Sequence, residues 1–175
     1  MLTVAARAPA FSLPGVLRGR VETYSLARSA GRWRVVFFYP RDFTFICPTE
    51  VVGFHKRSAE FDAFGALVLG ISVDPVETHA RWAEALGGLS IPLLADPGGA
   101  VARAYGVFHE EEGVALRATF IVDPEGVVQY AAVTHRNVGR GVGETLRVLA
   151  ALRTGRLCPA DWKPGDETLE ATEGY

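Results

Sequence analysis

Two cysteines, Cys47 and Cys158, occur among the 175 residues, and the first stands where a thiol becomes reactive. The stretch Phe43-Thr44-Phe45-Ile46-Cys47-Pro48-Thr49-Glu50 follows the apolar run Val35 to Tyr39. Proline suits the first helical position, where a missing N–H costs nothing, and apolar residues at helical spacing follow at Val51, Phe54 and Phe61. Cys47 is therefore predicted to cap a helix. Free N–H groups and the positive end of the helix dipole favour the thiolate at such a position, and the thiolate is the nucleophile. The bland alternative is a buried, inert cysteine. Oxidation turns a reactive thiolate into a sulfenic acid. A second thiol can condense with that sulfenic acid to a disulfide, which a dithiol then reduces.

The elements that must position these thiols alternate between β and α. Val35 to Tyr39 is a β-branched and aromatic run ended by Pro40 and Asp42, which predicts a buried strand. The helix is expected from Pro48 to about Phe64. Ala66 to Val73 is a second run of strand length and completes a βαβ unit. Asp74 is the candidate cap of a helix beginning at Pro75 and running through Trp82 to Leu86, where Gly87 and Gly88 stop it. Ile91 to Leu94 predicts another strand, and Ala100 to Tyr105 a short helix. Ala118 to Val122 and Val127 to Val133 flank the turn Asp123-Pro124-Glu125-Gly126 and predict a hairpin. Phe11 to Leu26 reads as an irregular N-terminal hairpin around Pro14, Gly15 and Gly19. The last helix is expected from about Val142 to Leu152, with Leu146, Leu149 and Leu152 on its apolar face. This order implies an α/β fold, a mixed central β-sheet flanked by helices. One domain is expected over 1–153, with 154–175 as a C-terminal tail, rich in Gly, Pro and charge, that carries a mobile Cys158.

Composition excludes several function classes. With 49% hydrophobic residues the chain can build one sizeable core. A net charge of −2 gives no electrostatic case for nucleic acid or a membrane surface. No apolar run approaches a membrane span and no basic-then-apolar segment opens the chain. Two distant cysteines are too few for a secreted disulfide scaffold, so a dithiol cycling in a reducing, cytoplasmic compartment is the expectation. His55, His79, His109 and His135 have no ligand spacing with each other or with the cysteines, so no metal is expected, and no cofactor. Trp33, Trp82 and Trp162 read as core or interface residues rather than site residues.

Three segments, in order, resemble the peroxiredoxins, and within them the typical two-cysteine class that includes the peroxidase component of bacterial alkyl hydroperoxide reductase. Pro40, Thr44 and Cys47, in the stretch Phe43 to Glu50, are similar to the peroxidatic signature. Arg117-Ala118-Thr119-Phe120-Ile121-Val122-Asp123 resembles the strand that supplies the active-site arginine, and Cys158-Pro159-Ala160-Asp161-Trp162-Lys163-Pro164-Gly165 the segment bearing the resolving cysteine. The resemblance spans nearly the whole chain. It implies a thioredoxin-like fold and a cycle that reduces hydrogen peroxide and organic hydroperoxides, with Cys47 peroxidatic and Cys158 resolving it through an intersubunit disulfide. It further implies a homodimer assembling to a decamer, with Trp82, beside Thr78 and His79, where dimers join. The implied reductant is a dithiol protein, thioredoxin or a flavoprotein disulfide reductase system. Arg140, in Val138-Gly139-Arg140, resembles a second family arginine near Glu50, itself either an N-terminal helix charge or a partner that orients arginine.

A reactive thiolate alone does not make a peroxidase. If a thiol's pKa falls from about 8.5 to about 6, its thiolate fraction at neutral pH rises about thirtyfold. Intrinsic nucleophilicity falls about thirteenfold over the same change, leaving a gain of about 2. The rest must come from donors that orient the peroxide and stabilise the departing oxygen. Arg117 and Thr44 are the candidates, with Pro40 shielding the sulfur from water and backbone N–H groups at the helix start assisting. Family members prone to over-oxidation carry a Gly-Gly-Leu-Gly loop and a C-terminal Tyr-Phe pair. Here the loop is Gly87-Gly88-Leu89-Ser90 and no such pair follows Cys158, so relative resistance to over-oxidation is expected. Two other classes compete. A thiol-disulfide oxidoreductase on the same fold would have a second cysteine at the position of Glu50, and a ring-forming holdase would use neither thiol.

Overall fold

The computed structural model describes residues 2–171; the end of the expected tail, 172–175, lies outside them. In chain order the elements are β1 (Ser12–Leu17), β2 (Arg20–Ser25), a 3-10 turn (Ala27–Ser29), β3 (Trp33–Phe38), α1 (Cys47–Lys56), α2 (Ser58–Ala63), β4 (Ala66–Ser72), α3 (Val76–Ala85), β5 (Leu93–Ala95), α4 (Ala100–Ala104), β6 (Phe108–His109), β7 (Val114–Ala115), β8 (Arg117–Val122), β9 (Val128–Thr134) and α5 (Val142–Thr154). A seven-stranded sheet runs β2-β1-β5-β4-β3-β8-β9. β3, β4 and β5 are parallel, whereas β8 and β9 extend the sheet antiparallel on one side and β1 and β2 on the other.

The central strand β3 shows why its sequence is continuously apolar. Side chains alternate across a strand, and here both faces are covered. Val35, Phe37 and Tyr39 join Val51, Phe54, Phe61, Trp82, Leu146 and Leu149 in one core. Val36 and Phe38 join Leu69, Ile71, Tyr105, Val107 and Phe120 in the other. Phe37 stacks on Phe54 at 4.3 Å between centroids and covers Gly70, where a β-carbon would lie 2.6 Å from Phe37 Cζ. Gly70→Ala is therefore expected to lower stability by about 1–3 kcal/mol through overpacking, read as a lower urea midpoint at unchanged slope.

Several predicted boundaries are corrected. The helix expected over 48–64 is broken at Arg57, whose φ of −104° and ψ of 9° leave the helical region. A long-range contact accompanies the break: the Ser90 hydroxyl lies 2.7 Å from Ser58 Oγ and 3.3 Å from the His55 carbonyl. Asp74 does not cap α3; Pro75 is the capping residue and no side chain bonds there. The Asp74 carboxylate instead accepts from the Ser72 hydroxyl at 2.6 Å and the Asp42 N–H at 2.9 Å, tying the end of β4 to the loop before α1. The strand placed at Ile91 starts at Leu93, since Pro92 has no N–H to give the ladder. The β6–β7 hairpin, two residues per strand, lacks any sequence pattern that would announce it.

Beyond α5 the described part of the tail lies back on the fold. Trp162 is buried, its indole N–H donates to the Asp166 carbonyl at 3.1 Å, and Arg147 on α5 donates to the Trp162 carbonyl at 3.0 Å. Leu157 and Leu169 form an isolated antiparallel bridge.

Candidate active site

The loop between β3 and α1 is held by a buried polar cluster. The Asp42 carboxylate accepts from the Tyr39 hydroxyl at 2.8 Å, and His79 Nδ1 on α3 lies 2.7 Å from its other oxygen. His79 Nε2 is 3.1 Å from the Leu94 carbonyl, so both ring nitrogens face acceptors. Burial, and then Asp42, holds the Tyr39 phenol well above its ordinary value, so it remains a donor. With Asp42 fixed, the backbone turns sharply: Phe43 adopts φ +53°, a left-handed conformation costing a bulky residue of order 1–3 kcal/mol. Phe43 leans on Trp82, with centroids 6.3 Å apart, and Phe45 projects into solvent.

Cys47 is the first residue of α1, Ile46 is its capping residue and Pro48 follows within the first turn, one residue displaced from the predicted cap. The helix end offers fewer free donors than expected. Pro48 has none, and the N–H groups of Thr49 and Glu50 turn back to the Ile46 carbonyl at 3.0 and 3.4 Å.

The Cys47 side chain is fully buried, and Arg117, on β8, donates from Nη1 to its Sγ at 3.2 Å. The same Nη1 is 2.7 Å from Glu50 Oε2, while Arg117 Nε donates to the Arg136 carbonyl at 2.7 Å. Glu50 lies on the inner face of α1 at helical spacing from Cys47 and is buried between two guanidinium groups. Arg140 bonds Glu50 Oε1 through its backbone N–H at 2.8 Å and its Nε at 3.0 Å. Its Nη1 donates to the Ala118 carbonyl at 2.7 Å and Thr119 Oγ1 at 3.2 Å, and its Nη2 to the Phe38 carbonyl at 2.6 Å and Glu50 Oε2 at 3.3 Å. Burial pushes the Arg140 guanidinium below its ordinary value, and the Glu50 charge opposes that shift.

One carboxylate thus faces two guanidinium groups in a nearly dry site, leaving one positive charge in excess. A buried charge needs a counter-charge, and the sulfur on Arg117 is placed to carry it.

Thr44 is half-buried and its hydroxyl donates to the Arg41 carbonyl at 3.1 Å; it makes no hydrogen bond to Cys47 Sγ among the described residues. Pro40 is half-buried and lines a 470 Å³ cavity with residues of β7, β9 and the following turn. Arg136, whose carbonyl holds Arg117, lines that cavity too. Cys158 is a half-buried free thiol outside this cluster, with Sγ 3.4 Å from Thr154 Oγ1 and 3.8 Å from the Ala151 carbonyl. Sequence reasoning missed the Tyr39–Asp42–His79 cluster and the carbonyl of Arg136. An Asp five residues before the cysteine, three after Tyr39 and directly before Phe43, was the available signal for the first; a carbonyl leaves none. Among the described residues no group of His, Cys, Asp and Glu could hold a metal, and no helix is long and apolar enough to cross a membrane.

A thioredoxin-like α/β fold with a buried cysteine at a helix start, hydrogen-bonded to arginine, defines a thiol oxidoreductase. Residues 4–131 match the model of the AhpC/TSA family, and 150–174 match the C-terminal domain of 1-Cys peroxiredoxin. The chain belongs to the AhpC/TSA family of thiol peroxidases. It is 49% identical to YkuU of Bacillus subtilis over 95% of this chain and 97% of that one. It is 42% identical to bovine (Bos taurus) peroxiredoxin-2 over 93% of this chain and 87% of that one. The reduced 2-Cys peroxiredoxin of Plasmodium vivax superposes with a TM-score of 0.91 at 32% identity, over 97% of this chain and 94% of that one.

Proposed function

We propose that this chain reduces hydrogen peroxide and organic hydroperoxides at Cys47 and that Cys158 of a second copy resolves the product. The observation that carries the reading is the sulfur of Cys47 buried against Arg117 in a cluster with one positive charge in excess. In the first step the Cys47 thiolate attacks the terminal peroxide oxygen, the O–O bond breaks, and the departing oxygen takes a proton to leave as water or an alcohol. Arg117 stabilises charge on that oxygen, Thr44 exchanges its Arg41 partner for the peroxide, and Pro40 limits water. In the second step the Cys158 thiol displaces hydroxide from the sulfenic sulfur, giving a disulfide and water.

Geometry favours resolution between copies. α5 begins beside the site, with the Arg140 N–H on Glu50 and Val142 against Gly53 of α1. Cys158 lies against Ala151, nine residues further on, which at 1.5 Å per residue is about 14 Å along the helix. For Cys158 to reach its own Cys47, the tail would have to give up the Trp162 and Leu157–Leu169 contacts. A homodimer, assembling to a decamer in a cytoplasmic, reducing compartment and recycled by a dithiol protein such as thioredoxin or a flavoprotein disulfide reductase system, completes the reading. The tail's likeness to a 1-Cys protein favours a second reading, in which an outside thiol resolves Cys47.

Non-reducing electrophoresis separates the two. After one equivalent of hydrogen peroxide, the unaltered protein is expected to run as a disulfide-linked dimer, and Cys47→Ser and Cys158→Ser as monomers. A Cys158→Ser variant with undiminished turnover would establish the one-cysteine cycle, and thiols that survive peroxide unreacted would overturn both.

A further inference from the structure

Two apolar features flank the two thiols, and neither is covered among the described residues. Phe45, two residues before Cys47, is 99% exposed. Phe43 has Trp82 of its own chain as a partner; Phe45 has no aromatic partner among the described residues. Its projection is built in: Asp42 is pinned by Tyr39, His79 and Asp74, and the strained turn at Phe43 directs the next residues outward. On the other side, Cys158 opens onto a 570 Å³ cavity between α5 and the tail. Val148, Ala151, Leu152, Leu157, Pro159 and Leu169 form its apolar lining. Arg147, Arg156 and Asp161 also line it; an apolar cavity of about 150 Å³ holds benzene, so this one has room for a phenyl ring.

We propose that the cavity beside Cys158 receives the Phe45 ring of a second copy and thereby guides Cys47 to Cys158. The proposal rests on the intersubunit reading above. Any disulfide between these sulfurs brings the chain around Cys47 against the cavity wall, and Phe45 is the exposed apolar side chain within two residues of Cys47. Buried where it stands, Cys47 cannot meet another sulfur; the start of α1 must open, and a seated Phe45 lowers the cost of that opening. The occupant is a second copy, because the cavity faces the far half of α5 while Phe45 belongs to the end where α5 begins.

The test uses pairs in which each copy supplies one thiol. A Cys158→Ser chain, which supplies Cys47, is co-expressed with a Cys47→Ser chain, which supplies Cys158, and the pair is purified through two tags. After peroxide, formation of the mixed disulfide is timed, with dimedone trapping of Cys47 sulfenic acid as the control. Phe45→Ala in the Cys47-supplying chain is expected to slow the disulfide about tenfold, the scale of one buried aromatic anchor, with dimedone labelling within twofold. Phe45→Leu should recover most of the rate. Ala151→Trp in the other chain, which fills the cavity, should slow the disulfide as Phe45→Ala does, and Phe45→Ala placed in that chain should do nothing. Unchanged disulfide rates across these variants, or equal slowing from either chain, would overturn the docking proposal while leaving the intersubunit cycle intact. Sulfenic acid without any mixed disulfide in the parent pair would overturn the intersubunit reading itself.

Discussion

Arg117→Ala is expected to slow oxidation of Cys47 by hydrogen peroxide by about 10²–10³-fold, the usual cost of losing one donor aimed at developing charge. Arg117 is the hydrogen-bond donor to the sulfur, and it is oriented by Glu50 and the Arg136 carbonyl, so nothing nearby replaces it. The fold should survive, because Glu50 keeps its three bonds to Arg140. Two contributions can be separated by pH. If Arg117 served only to secure the thiolate, the deficit at neutral pH would be small, since lost thiolate is partly offset by greater nucleophilicity. It would shrink as alkaline pH supplies more thiolate. If Arg117 stabilises the departing oxygen, most of the deficit persists there. Arg117→Lys should fall between, because one ammonium cannot serve the sulfur, the carboxylate and the carbonyl in the guanidinium's planar arrangement. Stopped-flow oxidation rates at neutral and alkaline pH read both effects, and a loss under threefold at both would remove Arg117 from the chemistry.

What was legible in the sequence is what depends on near neighbours. The run at Val35 announced β3 because a strand covered on both faces must be apolar throughout, and Pro48 with Val51 and Phe54 announced α1. Residues that could do chemistry were legible as types in a motif, whereas their joint geometry was not. Glu50 could be read as a helix charge or as a partner of arginine, and only contacts spanning 67 and 90 residues of chain put it between Arg117 and Arg140. Two of the errors share that cause. Asp74 has the chemistry of a helix cap but is claimed by Ser72 and Asp42, and the break at Arg57 accompanies contacts with Ser90, 32 and 35 residues from its partners. At both places short-range propensity gave way to a polar partner distant in the chain, whereas the late start of β5 has a local cause in Pro92.

Glu50→Gln tests the charge balance of the site itself. The substitution keeps shape and one acceptor but leaves two buried guanidinium groups facing each other with no carboxylate, and breaking a buried pair of this kind costs about 3–5 kcal/mol. Against a total stability of about 5–15 kcal/mol for a folded domain, that should appear as a large fall in the denaturation midpoint. The effect on Cys47 runs the other way. With Glu50 neutral, two positive charges act on the sulfur and none opposes them, so alkylation by iodoacetamide should be faster than in the unaltered protein. Peroxide oxidation should nonetheless be slower, since Arg117 loses the carboxylate that aims it. Glu50→Asp keeps the charge while shortening its reach, and should retain more stability without restoring the full oxidation rate. A Glu50→Gln protein that alkylates more readily and also oxidises faster would mean that thiolate supply, not the placement of Arg117, limits the reaction.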